Sequence, residues 1–292
     1  MAIAEPYAPQ PLARGLARLR EMHTASRRAS AGDRVAIGAF LLLILVALVG
    51  PLLASHSPIQ PAGEPFLSPF HGGFIFGTDE VGQDIFTRVL YGLRASLLAA
   101  AAVIASGVVI GGAIGLVAGA AGGWVDTLLM RITDLFLALP GPVLAIAVVA
   151  ALGPSYLHTL IAVAIVWWPF YARIVRGEVR ALATRPHLEA ARLAGIGRFR
   201  LARRHLLPGA VPAVLVTASL DVGNLVVTLA ALSFLGLGAP APSPELGSMA
   251  ARGLQYLLQE WWVPVIPAMA VFVVAFLANL AGDGIRDLLG DR

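Results

Sequence analysis

Three features of this chain predict an all-α, polytopic membrane fold with six transmembrane helices. Hydrophobic residues make up 58% of it and charged residues 13%, where soluble domains carry about half and a quarter. Mean hydropathy is +0.80. Apolar runs long enough to cross a hydrocarbon layer of ~30 Å recur along the 292 residues, separated by polar or proline-dotted stretches.

Residues 1–34 are polar and hold Arg14, Arg18, Arg20, Arg27, Arg28 and Arg34. They read as a cytoplasmic arm; no small-x-small cleavage site follows the next apolar run, which argues against a removed signal peptide. The first span is 35–53, "VAIGAFLLLILVALVGPLL". An extracytoplasmic loop, 54–94, follows with Pro58, Pro61, Pro65 and Pro69. The core, 95–282, contains five further spans at about 95–119, 128–152, 157–176, 211–237 and 263–282, and 283–292 is a charged cytoplasmic tail. Gly107, Gly111, Gly115 and Gly119 fall on one helical face of the second span, where another backbone can approach closely. Pro140 and Pro142 interrupt the third span, and Pro169 follows Trp167 and Trp168 in the fourth, so kinks are expected there.

Six spans put both termini on one side. With the arm inside, the outer loops hold only Arg88, Arg94 and Arg252 of the 21 basic residues. That asymmetry orients the chain, and it accounts for the pI near 10.1 without nucleic acid. No residue is lysine and none is cysteine. A P-loop and Schiff-base chemistry are thereby excluded, as are disulfides and thiolate sites.

The segment 177–210 is arginine-rich; from 185 to 212 the chain holds arginines at 185, 192, 198, 200, 203 and 204 beside a single acid, Glu189. Pro186 suits a helix start, and "HLEAARLA" is made of good helix formers. Gly195 suits a helix end. A second helix, "RFRLARRHLL", is expected to stop at Pro208. An amphipathic element lying on anionic lipid would explain the arginines. A helix–glycine–helix unit tied to spans on both sides better suits docking of a partner that pushes on the membrane helices.

"EAARLAG", followed at a distance by "HLLP", resembles the EAA loop of ABC importer permeases. Stretches 76–97, 122–140, 231–249 and 279–292 ("FGTDEVGQDIFTRVLYGLRASL", "GGWVDTLLMRITDLFLALP", "ALSFLGLGAPAPSPELGSM", "NLAGDGIRDLLGDR") resemble the C-type permease subunit of dipeptide, oligopeptide and nickel importers. The resemblance implies a type I ABC importer permease fold with a cytoplasmic coupling helix. It places Glu189, Ala190, Ala191, Gly195, Leu207 and Pro208 at the motif positions that meet an ATPase subunit. It also implies a bacterial inner-membrane location, a B-type permease subunit as the other half, two ATPase subunits and an extracytoplasmic substrate-binding protein. ATP and Mg would be bound by the ATPase partners, with no cofactor in this chain. Leu246 stands where a tryptophan is usual and Leu229 where some members carry glutamate; both are expected near substrate.

Thr217, Asp221, Asn224 and Thr228 share one face of the fifth span, with Asp221 near the bilayer midplane. An ionisable group there is costly and marks a path or a partner. A translocation stripe is the functional reading, its carboxylate suited to a peptide's terminal amine or another cation; a hydrogen-bonded Asp in a closed bundle is the structural one. Asp134 is placed to pair with Arg131, and Asp84 to start a helix and pair with Arg88. His71, Asp79, Glu80 and Asp84 have no metal-ligand spacing. Peptide import driven by ATP is the leading function. Nickel or another small solute is the alternative cargo, and ion-coupled transport through Asp221 the alternative class. No GxSxG or HExxH pattern supports a hydrolase.

Overall fold

The computed structural model describes residues 30–289. Most of the expected N-terminal arm and the last residues of the tail lie outside the described residues.

Ten α-helices follow in order: α1 (Ala31–Leu53), α2 (Ile85–Ala121), α3 (Gly123–Leu137), α4 (Gly141–Leu152), α5 (Tyr156–Ala183), α6 (Pro186–Leu193), α7 (Arg198–Leu201), α8 (Leu207–Phe234), α9 (Leu246–Gly253) and α10 (Trp262–Leu289). Among the described residues there is no strand. Among the described residues five helical stretches are long and apolar enough to cross a membrane, and α3 with α4, bent by 83° at their break, are together apolar enough to count as a sixth if the pair is one span. The bend has a local cause: Pro140 in the break and Pro142 just after it have no N–H to return to the Phe136 and Ala138 carbonyls.

Side chains fix where the helices begin. Ser30 and Asp33 close a reciprocal cap on α1, each accepting the other's backbone amide, at 3.1 Å and 2.8 Å. Asp84 caps α2 by accepting from the Phe86 and Thr87 amides. That cap, and the burial of Ile85, Val89, Leu90 and Leu93, start the helix well before the expected span at 95. At 37 residues and 1.5 Å per residue, α2 is about 55 Å long, so it projects beyond a hydrocarbon layer of ~30 Å.

α2 lies along α5, and the four-residue glycine spacing explains how close they come. A Cβ at Gly111 would fall on the Trp168 carbonyl oxygen, and one at Gly115 on that of Ala172. Gly107 and Gly119 face Tyr171 and Val179. α10 packs on α8 and α1. Gly284 of α10 meets Asp33 of α1, so the described chain begins and ends at the same end of the bundle.

The opposite end carries a cap built from loops, and Arg88 holds it together. This side chain is 1% exposed. Its Nε lies 3.5 Å from an Asp79 carboxylate oxygen. Its Nη1 donates to the Pro58 carbonyl at 2.8 Å, to the Pro242 carbonyl at 3.3 Å, and to Gln83 Oε1. Burial pushes the Asp79 carboxyl above the usual carboxylate range, against hydrogen bonds from the Gln83 and Val81 amides and the Arg88 charge. The expected Asp84–Arg88 pair does not form, because the Asp84 carboxylate serves the α2 cap, the Thr87 hydroxyl and His56. Arg88→Met leaves Asp79 buried without its cation and should cost about 3–5 kcal/mol. Thermal unfolding of the purified protein measures that loss.

Asp134 pairs with Arg173 across to α5 at 2.6 Å, not with Arg131 on its own helix. One and two turns further along α5, Arg176 and Arg180 both grip Asp126 of α3. Leu229 is 7% and Leu246 0% exposed, both within the apolar core. The expectation that these two positions lie near substrate is therefore corrected: each fills helix-packing space.

Candidate functional site

Two features stand out: an elbow beyond the end of α5, and a polar cleft at mid-height in the bundle.

α5 runs past its expected span to Ala183, and a short turn leads into α6, with Pro186 in first position. α6 ends in a Schellman motif: Ile196 N–H donates to the Ala191 carbonyl at 3.2 Å while Gly195 takes φ +78°. α7 follows at once. The expected stop at Pro208 is absent. Leu207 N–H donates to the carbonyl of Ala202 rather than of Arg203, opening a π-turn over Ala202–Leu206. This wider turn accommodates the proline, and the helix continues from Phe199 to Phe234. The unit is helix, glycine turn, helix, joined continuously to α8.

The elbow is clamped to the bundle by its apolar side. Leu188, Leu201 and Leu206 are buried with Val175, Val179 and Leu182 of α5. Glu189, Ala190 and Gly195 face outward, Ala191 is half-buried, and Leu207 and Pro208 are exposed in the first turn of α8. The predicted motif residues thus lie on α6, its glycine turn and the start of α8, most of them exposed. Sequence reasoning passed over Leu193 and Phe199, which are 90% and 80% exposed. Their signal was available: large apolar side chains beside Gly195 in an otherwise charged segment.

The predicted stripe is assembled on α8. Thr217, Asp221, Asn224 and Thr228 all line one open cleft of ~510 Å³. Two other helices complete it, with Trp167, Phe170 and Ile174 from α5 and Asn279 from α10. Trp167 Nε1 donates to an Asp221 carboxylate oxygen at 3.1 Å. The buried Tyr171 hydroxyl lies beside the same carboxylate without the geometry of a hydrogen bond. Thr217 and Thr228 donate their hydroxyl protons to their own helix, to the Ala213 and Asn224 carbonyls. Into the cleft they offer only lone pairs.

Comparison with known proteins bears on both features. Residues 111–292 match the family described as "Binding-protein-dependent transport system inner membrane component". The chain belongs to this family. Within it, the chain is 42% identical over 252 residues to the probable D,D-dipeptide transport system permease protein DdpC of Escherichia coli strain K12, covering 86% of this chain and 85% of that one. It is 39% identical to the dipeptide transport system permease protein DppC of Alkalihalophilus pseudofirmus, over 85% of this chain and 82% of the relative. It is 42% identical to the glutathione transport system permease protein GsiD of Pectobacterium atrosepticum, over 74% and 72%. A chain of the MetNI methionine ABC transporter, in an inward-facing crystal form, superposes with TM-score 0.55 at 22% identity, covering 68% of this chain and 95% of that one. That likeness carries the fold alone. As a member of this family, the protein is a multi-pass inner-membrane component of an ABC import system that works with a binding protein.

Proposed function

We propose that this chain is one transmembrane half of an ATP-driven peptide importer. In this reading the elbow, α6 to the π-turn, docks on a separate ATPase subunit. The observation that carries the reading is the elbow's two-sidedness. Buried leucines fix it to α2, α5 and α8, while Leu193 is exposed and Phe199, also exposed, lines an open apolar groove with Val117 and Ala121 of α2. Apolar side chains held out by a clamped element suit a protein groove better than water. Glu189, Ala190, Ala191, Gly195, Leu207 and Pro208 form or support that surface. A push on it passes directly into α5 and α8, the helices that carry Trp167 and Asp221.

The polar cleft serves as this half's share of the translocation path, with Thr217, Asp221, Asn224 and Thr228 along it. Half-buried and exposed polar side chains halfway along a membrane helix are costly against hydrocarbon. The other half, a related B-type permease subunit, covers them. Two ATPase subunits hydrolyse ATP with Mg, an extracytoplasmic binding protein delivers cargo to the cap end, and lipid surrounds the rest. Both termini and the elbow lie in the cytoplasm, which places the cap outside. The dipeptide, di/tripeptide and glutathione names of the relatives support peptide as cargo over nickel.

The test is uptake into proteoliposomes. The full complex with its binding protein should accumulate peptide only with ATP inside the ATPase compartment. The chain alone should carry none, and transport by the chain alone under an ion gradient would favour the secondary-transporter class.

A further inference from the structure

We infer that the cleft between α5, α8 and α10 is a binding subsite for a primary ammonium group, with Asp221 as its counter-charge and Trp167 and Phe170 as its aromatic wall. This rests on the peptide-import reading and names the part of the cargo the subsite takes.

Charge supplies the first support. Two acids of α3 are matched across to α5: Asp126 with Arg176 and Arg180, and Asp134 with Arg173. Asp221 makes no ion pair with any described arginine or histidine, and its hydrogen bond comes from the neutral indole of Trp167. It sits midway along α8. A charged carboxylate at that depth is favoured by a cation, from a partner chain or from cargo.

Hydrogen-bonding polarity supplies the second. Around Asp221 the cleft offers acceptors and only neutral donors, the Asn224 and Asn279 amides. Thr217, one turn away, has spent its proton on Ala213, and Thr228, two turns away, has spent its own on Asn224. The Trp167 donor is already used on Asp221 itself. An alkylammonium brings three donors and no acceptor, which complements this lining; a carboxylate or phosphate would find no free cationic donor in it. The Asn224 and Asn279 carboxamides can satisfy the amide groups that follow a peptide's first residue.

Shape supplies the third. The Trp167 and Phe170 rings stand 5.9 Å apart at 49°, and both line the cleft next to the carboxylate. Aromatic faces beside a carboxylate attract organic cations through the ring quadrupole. A small inorganic ion gains little from such a wall, since hard cations favour several oxygen ligands.

The experiment titrates the purified transporter, assembled with its permease and ATPase partners, and reads tryptophan emission. The probes are L-alanyl-L-alanine, its N-acetyl derivative, sodium chloride and nickel chloride. L-alanyl-L-alanine should give a saturable change that disappears in Trp167→Phe. The N-acetyl form should bind at least about tenfold more weakly, the loss expected for a hydrogen bond to a charged group. Asp221→Asn keeps the shape and an acceptor for Trp167, so it should fold; it should abolish the difference between the two peptides. Equal binding of both peptides by the wild type, an unchanged ratio in Asp221→Asn, no response to any probe, or a matching response to sodium or nickel each overturns the proposal. ATP-driven peptide uptake by the same preparation, measured separately, keeps the permease reading intact in those cases; its absence overturns that reading as well.

Discussion

Gly111→Ala should destabilise the protein by about 2–3 kcal/mol, while Gly112→Ala should be neutral or stabilising by up to about 1 kcal/mol. The two glycines are neighbours on one helix, so the contrast isolates packing from helix propensity. At Gly111 the new methyl would fall on the backbone carbonyl of Trp168, with Ala172 N and Tyr171 Cβ close behind. Backbone cannot turn aside as a side-chain tip can, so α2 and α5 must separate. That parting loosens the longest helix contact in the bundle. At Gly112 the nearest atom is a Val175 methyl at 4.0 Å, an ordinary contact. The fraction of protein surviving heating in mild detergent, followed by size exclusion, distinguishes the two variants.

Gly195→Val should cut peptide uptake about 5–30-fold without reducing the amount of folded protein in the membrane. Gly195 takes φ +78°, where an L side chain costs about 1–2 kcal/mol and a β-branched one is worst placed. That strain lowers the equilibrium constant for the bent elbow by the stated factor, and uptake falls with it when bent and unbent forms are close in energy. The turn is exposed, with nothing within 4 Å of a Cβ, so the bundle itself is untouched. Gly195→Asn should recover much of the activity, since asparagine tolerates the left-handed region. Full uptake by the valine variant would show that the angle between α6 and α7 does not matter.

How far the sequence can be read depends on the range of the interaction that decides each feature. Long apolar runs, the glycine seam and the Pro186-to-Gly195 helix are set by residues within a turn or two, and they were legible. The helix stop at Pro208 was misjudged because the π-turn that accommodates the proline is a choice of hydrogen-bond register, and composition does not encode it. Asp134 and Asp84 were assigned neighbours on their own helices. Asp134 instead reaches Arg173, far along the chain, and Asp84 is occupied by capping. Arg88 ties carbonyls 30 and 154 positions away, a relation that only the folded chain creates. The polar stripe on α8 was visible from its spacing. Its partners Trp167, Phe170 and Asn279 were not, because they come from two other helices.

The central claim is that the elbow lies in the cytoplasm and takes its push from an ATPase. Because the chain contains no cysteine, Leu193→Cys places a unique thiol at an exposed position at the end of α6. In cells making the whole transporter, a short thiol-to-amine cross-linker should join this residue to the ATPase subunit, with a yield that changes when ATP is trapped. Labelling of the same cysteine by a membrane-impermeant maleimide added outside intact cells would put the elbow on the wrong side and contradict the account.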